Sequence, residues 1–186
     1  IDKMQAFNDP RIDDYFTKVD TSSEAGVEKL VYFGAIYGLD GAQSYNNYSH
    51  FTDRFMSATL EADLMSYAEV EFILAEAAQR GWSVGGTAEE HYNNAVSASI
   101  MYWGGTQAEA DAYLAQAEVA YDANNWKESI GTQKWLALYN QGVEAWAEWR
   151  RLDFPILNIP EGMTYGDIPV RMDYPFNEEE LNPVGY

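Results

Sequence analysis

The sequence predicts a mainly α protein, a tetratricopeptide-like helical scaffold (an α-α superhelix) with long irregular loops and an extended C-terminal tail. Three observations predict it. Between residues 66 and 153, apolar residues recur at helical spacing behind three Ser/Thr-x-x-Glu boxes. Small residues there (Ala75, Ala77, Ala78, then Ala95, Ser97, Ala98) sit among aromatics, a texture that lets helix pairs approach closely. The same texture also fits an antiparallel helical bundle. Finally, five of the six prolines fall in residues 154–186, which show little periodicity.

Residues 1–65 mix turn residues with short apolar bursts, as in Asn8-Asp9-Pro10-Arg11, Leu30-Val31-Tyr32-Phe33 and Gly38-Leu39-Asp40-Gly41. They read as loop-rich, with one or two short strands. The first helix opens at the box Ser66-Tyr67-Ala68-Glu69, aligns Tyr67, Val70, Leu74, Ala77 and Ala78, and stops at Gly81. Thr87-Ala88-Glu89-Glu90 opens a second, with Tyr92, Ala95, Val96 and Ser99 on one stripe and Gly104-Gly105 at its end. Thr106-Gln107-Ala108-Glu109 opens a third, through Tyr113, Leu114 and Ala117. A fourth is expected as one long helix from about Trp126 to Leu152, weakened at Gly142 and ended by Asp153-Phe154-Pro155. Residues 154–186 read as a tail laid over the helices.

Composition bounds the chemistry. The 186 residues suit one domain and can bury a sizeable core. Eleven Lys and Arg against 30 Asp and Glu give a formal net charge of −19, which disfavours nucleic acid and anionic lipid as partners. With no cysteine there is no disulfide, thiolate nucleophile or cysteine-held metal. Phosphate-loop, dinucleotide, nucleophile-elbow and zincin motifs are all absent from the sequence. The two histidines, His50 and His91, lie far apart, and His91 reads as a surface or rim residue. Asp122-Ala123-Asn124-Asn125-Trp126 starts like a calcium loop but places Trp126 where a short oxygen ligand is needed, so it reads as a self-bonded turn. Glu144 and Glu148, at i and i+4, read as a solvated acidic face rather than a shared-proton pair. No enzyme mechanism and no cofactor emerge.

Aromatic residues on loops, beside amides, are the informative feature. Sugar recognition uses flat apolar faces against pyranose CH groups, with amides for the hydroxyls. The stretch Tyr37 to His50 supplies Tyr37, Tyr45, Asn46, Asn47 and Tyr48, the candidate ligand-binding residues, although a polar loop packed by its own tyrosines fits equally well. Trp82 and Trp103 fall at helix ends as candidate rim residues. Trp135, Trp146 and Trp149 have core spacing.

Beyond these readings, Met65-Ser66-Tyr67-Ala68-Glu69-Val70-Glu71-Phe72-Ile73-Leu74-Ala75-Glu76-Ala77 resembles the MTYAEVxFxLAEA signature of the SusD/RagB family of Bacteroidetes outer-membrane lipoproteins. Gln133-Lys134-Trp135-Leu136-Ala137-Leu138 and Glu144-Ala145-Trp146-Ala147-Glu148-Trp149-Arg150-Arg151 resemble its QKWxAL and EAWxEWRR segments. Ile168-Pro169-Val170-Arg171-Met172, then Tyr174-Pro175, Glu178 and Asn182, resemble its closing IPxRxxYPxxExxxN, and Asp9-Pro10-Arg11 matches an upstream element.

The resemblance implies that residues 1–186 are the C-terminal part of a single SusD-like domain: 1–65 the ligand face, 66–153 the helices, 154–186 the tail. It implies a non-catalytic surface lipoprotein of the outer membrane that captures glycans or other nutrients and passes them to a SusC-like TonB-dependent transporter. Its lipid anchor would lie in an N-terminal part preceding Ile1. The matched segments themselves read as structural, with Arg150 and Arg151 expected to fork onto carboxylates such as those of the tail. The alternative is a helical-repeat adaptor that binds only a protein partner, with the Lys- and Arg-free acidic segment 81–126 as its dock. A carboxylate-pair glycosidase using Glu144 and Glu148 is a remote third.

Overall fold

The computed structural model describes residues 1–20, 30–38, 44–160, 168–175 and 177–183. In the loop-rich zone, two short helices, α1 (Asp2–Ala6) and α2 (Ile12–Tyr15), precede strands β1 (Val19–Asp20) and β2 (Leu30–Val31). The strands pair antiparallel with Val19 opposite Val31. Two 3-10 turns follow, at Tyr45–Asn47 and Asp53–Met56. The helical zone then holds α3 (Tyr67–Gln79), α4 (Ala88–Trp103), α5 (Gln107–Leu114), α6 (Trp126–Ala137) and α7 (Gly142–Leu152), and the tail carries α8 (Glu178–Leu181). The chain is mainly α, as the periodicity predicts.

The helix starts follow their caps. The hydroxyls of Ser66, Thr87 and Thr106 accept the backbone N–H groups of Glu69, Glu90 and Glu109 at 3.1, 3.1 and 3.3 Å. For Thr87 and Thr106 the glutamate also reaches back to the cap, closing the box. Gly104 ends α4 in a left-handed conformation (φ 113°), which a side chain would strain.

Two expectations change. The long helix from Trp126 to Leu152 is two helices, because Asn140 takes a left-handed conformation (φ 69°) and Gly142, a poor helix former, starts α7 afresh. The turn between them buries Leu138 and places Tyr139 among the aromatics of α2. On α3 the buried stripe is Ala68, Phe72, Ala75 and Glu76, whereas Tyr67 and Val70 of the expected stripe are exposed. Apolar residues nearly encircle this helix, so its periodicity does not single out the buried side.

Helix α3 packs on α4 and α6, α4 on α5, and α6 on α7. The main core lies between them: Phe72, Tyr92, Val96, Ile100, Tyr113 and Ile130, with Leu152 at the end of α7. A second cluster joins the loop-rich zone to the helices through Met4, Tyr15, Trp103 and Leu136. Tyr15 stacks on Tyr139 (4.0 Å, 10°), meets Trp103 edge-on (4.8 Å, 79°), and donates to the Leu136 carbonyl at 3.0 Å. Trp103 is therefore core, not rim.

Candidate functional site

The candidate face hangs from the second cluster. Thr17 N–H donates to the His50 carbonyl (2.8 Å) and Ser49 N–H to that of Phe33 (2.7 Å), tying the segment from Tyr45 to His50 across β1 and the residues after β2. The 3-10 turn Tyr45–Asn47 is thus anchored on its C-terminal side. Residues 39–43 of the tyrosine-rich stretch lie outside the described residues.

Tyr45 is 72% exposed, and its ring lies flat on the His50 imidazole (3.6 Å, 14°). A His50 ring nitrogen sits 2.8 Å from the Tyr45 carbonyl, so the pair is fixed from both sides. Asn46 and Asn47 are exposed beside it. Tyr48 is half-buried and stacks on Phe33 (5.5 Å, 9°). Tyr37 goes elsewhere, since its hydroxyl donates to the Asn158 carbonyl of the tail. The structure therefore gathers Tyr45, Asn46, Asn47 and Tyr48 on one turn and sets Tyr37 against the tail. The partners His50, Phe33 and Phe51 escape the sequence reading; Phe51 is 63% exposed and contacts Phe16 and Phe55. His50 closes the same stretch, a signal that could have found it, whereas Phe33 is hidden in a strand-like run.

At the base of this zone, Tyr32 donates to Asp13, and Lys18 reaches the same carboxylate at 3.0 Å. Those two contacts, the Tyr32 hydrogen bond foremost, hold the Asp13 carboxyl below its usual range against the opposing effect of burial. Burial first, and then Asp13, push the Tyr32 phenol up.

The motif residues form the scaffold beneath. Arg11 and Asp9 are fully buried: Nε donates to Oδ1 at 2.8 Å and Nη2 to Oδ2 at 2.6 Å. Arg11 also donates to Ser99 (2.9 Å) and Gln133 (3.2 Å), and Tyr113 donates to Asp9 (3.1 Å). Burial works against the guanidinium charge, but Asp9 outweighs it and raises the Arg11 pKa. Buried Lys134 lies 3.2 Å from Glu148 and 3.9 Å from Glu69. Arg151 bridges Glu148 and Glu76, each at 2.6 Å. Its carboxylates are thus on α3 and α7 rather than the tail, because the last turn of α7 faces α3. Arg150 does hold the tail, donating to the Val170 carbonyl (2.7 Å) while lying over Trp146 (4.0 Å). Trp146 and Trp149 are half-buried and donate to Pro169 and Pro155 carbonyls, so they clamp the tail instead of filling the core.

Glu148 is fully engaged with cations and Glu144 is exposed, so the two carboxylates do not share a proton. His91 is not a free rim residue: its Nδ1 sits 2.7 Å from Glu71 in a largely buried pair. The Asp122 loop bonds itself as expected, accepting from Asn124 N–H and Asn125 Nδ2 at 2.8 Å. Among the described residues, no cluster of acidic or histidine side chains could hold a metal ion, and no helix is long and apolar enough to cross a membrane.

The model of a SusD-like family, described as starch-binding associating with outer membrane, matches residues 1–175. The chain belongs to the SusD-like family. A SusD homologue from Bacteroides thetaiotaomicron superposes with a TM-score of 0.78 at 28% identity, over 97% of this chain and 43% of its own. One from Bacteroides vulgatus gives 0.79 at 26%, over 98% and 43%. A chitin-binding SusD homologue from Flavobacterium johnsoniae gives 0.74 at 28%, over 98% and 43%. The chain thus spans less than half the length of these solved SusD-like relatives. No curated protein matches it by sequence.

Proposed function

We propose that this SusD-like chain is the C-terminal part of a non-catalytic surface lipoprotein that captures glycans at the outer membrane. In this reading it hands them to a SusC-like TonB-dependent transporter, and the lipid anchor belongs to a preceding N-terminal part. The observation that carries the reading is the Tyr45 platform: a ring 72% exposed, fixed flat on His50, beside the exposed amides of Asn46 and Asn47. A stacked, immobilised ring meets a pyranose face at little entropic cost, and two neighbouring amides each offer a donor and an acceptor for hydroxyls. Tyr48 backs the turn, and Tyr37 ties the rim to the tail. The match to a family described as starch-binding, and the likeness to a chitin-binding homologue, support a glycan as the ligand.

Titration calorimetry of the full-length protein against an oligosaccharide panel tests this, with binding expected at about 10⁻⁴–10⁻³ M. Tyr45→Ala should weaken it about fivefold or more. Silence across all glycans, together with retention of the transporter in a pull-down, would instead favour a helical-repeat adaptor that binds only protein.

A further inference from the structure

A second cleft lies beside the aromatic cluster, next to Trp103 and Tyr102. The turn after Met56 and the last turn of α4 enclose an open cleft of about 430 Å³ lined by Arg54, Ser57, Thr59, Leu60, Glu61 and Tyr102. That is within the roughly 300–1,000 Å³ of small-ligand sites. Its wall is Tyr102, about one-third exposed, whose ring meets Trp103 edge-on (5.3 Å, 88°) and lies 5.5 Å from the Arg54 guanidinium. Ser57 and Thr59 hydroxyls lie 3.0 Å apart on the facing turn. A ring wall, paired hydroxyls and a carboxylate are the equipment for one sugar unit.

The charge of the cleft selects among sugars. Arg54 is the only Lys or Arg in the sequence between residues 30 and 65. Two of its five N–H donors are committed, Nη1 to the Trp103 carbonyl (3.0 Å) and Nη2 to that of Tyr102 (3.2 Å), and its guanidinium carbon lies 4.5 Å from the Trp103 ring centre. It therefore caps the C-terminal end of α4, where those carbonyls and the helix dipole hold it. Glu61 lines the cleft, and burial first, then a hydrogen bond to Asp63, push the Tyr102 phenol up. Glu61 and Asp63 outnumber the one arginine beside Tyr102, so an anionic sugar would meet a net negative cleft, whereas an uncharged sugar would find acceptors and a flat face.

The cleft is linked to the cluster. Phe51 contacts Phe55 (5.8 Å), Phe55 contacts Trp103 (5.4 Å), and Trp103 contacts Tyr102 (5.3 Å).

We propose that the Tyr102 cleft is a second subsite for an uncharged sugar unit and that it excludes uronic and sulfated glycans. This rests on the glycan-capture reading above. The test titrates full-length protein with maltohexaose, N-acetylchitohexaose, mannohexaose and hexagalacturonate by calorimetry. Tyr102→Ala should weaken the bound neutral hexasaccharide about fivefold, and Tyr102→Phe, which keeps the ring, should not. Glu61→Arg, at an exposed position, should confer measurable hexagalacturonate binding that the unaltered protein lacks. Neutral binding that Tyr45→Ala weakens but Tyr102→Ala leaves unchanged would overturn the subsite while leaving glycan capture standing. Hexagalacturonate binding by the unaltered protein would overturn the exclusion. Silence across the panel would overturn both readings together.

Discussion

Removing Arg11 tests the central structural claim, that a buried ion pair locks the loop-rich zone onto the helices. Arg11→Ala deletes four side-chain hydrogen bonds: two to Asp9 (2.8 and 2.6 Å) and one each to Ser99 (2.9 Å) and Gln133 (3.2 Å). It leaves Asp9, 1% exposed, with the backbone N–H of residue 11 at 3.0 Å and the Tyr113 hydroxyl at 3.1 Å. Those two donors do not replace a guanidinium, so the carboxylate is stranded in a dry interior. Breaking a buried pair from one side costs about 3–5 kcal/mol. For a chain of this size that corresponds to a fall in Tm of about 6–20 °C. Urea denaturation of the parent, Arg11→Ala, Asp9→Leu and the double variant forms a thermodynamic cycle. The double variant should cost at least about 2 kcal/mol less than the two singles combined, because neither charge is then left unpaired. A loss below about 1 kcal/mol for Arg11→Ala, or simple additivity, would refute the ion pair as the lock.

Three further outcomes follow from local geometry. Gly104→Ala should cost about 1–2 kcal/mol in thermal melting: the new Cβ meets only Asp14 Oδ1 at an ordinary 3.5 Å, so the penalty is the left-handed backbone itself. Thr87→Ala and Thr106→Ala should each cost about 1 kcal/mol by denaturant midpoint, since each removes one half of a closed capping box. Burial pushes the Glu76 carboxyl up, but Arg151 at 2.6 Å and Arg80 at 2.8 Å outweigh it and hold it below the usual carboxylate range. A depressed folded-state pKa gives stability that is present above the unfolded value of about 4.3 and is lost as pH falls through the folded one. Glu76→Gln should therefore lower stability at pH 7 and flatten its decline below about pH 5 in pH-dependent melts.

The helices were legible because their signals are local. A Thr three residues before a Glu, or a Gly after the last apolar position, acts within one turn, so α4 and α5 start where the boxes place them. The break at Asn140 was not legible. It depends on burying Leu138 and stacking Tyr139 on Tyr15, a contact more than a hundred residues away in sequence. The same holds for the partners of Arg151: two glutamates on different helices fit its fork equally well on paper, and only the approach of α7 to α3 selects them. At the candidate face, loop composition pointed to Tyr45, Asn46, Asn47 and Tyr48, which do share one turn. It could not separate Tyr37 from them, since Tyr37 is positioned by Asn158 in the tail. The Tyr102 cleft had no sequence signal, because its wall belongs to a helix and its floor to a loop some forty residues earlier.

Several of the residues by which the chain resembles its family are among those least able to touch a ligand. Asp9, Arg11, Gln133 and Lys134 are each no more than 2% exposed, and Glu76 and Glu148 are engaged by arginines. Each of them satisfies a buried charge or polar group that would be costly left alone, so each fixes the relative placement of helices and loop zone. The candidate ligand face is built on the opposite principle. Tyr45, Asn46 and Asn47 sit on a short turn held from its C-terminal side by the backbone bonds of Thr17 to His50 and Ser49 to Phe33, so their exposed side chains can change without disturbing a core. With a scaffold locked by internal ion pairs and the turn lying outside that network, stability and the proposed recognition rest on different residues. The family signature therefore reports how the protein stands, while the proposed ligand face is built from side chains outside that framework.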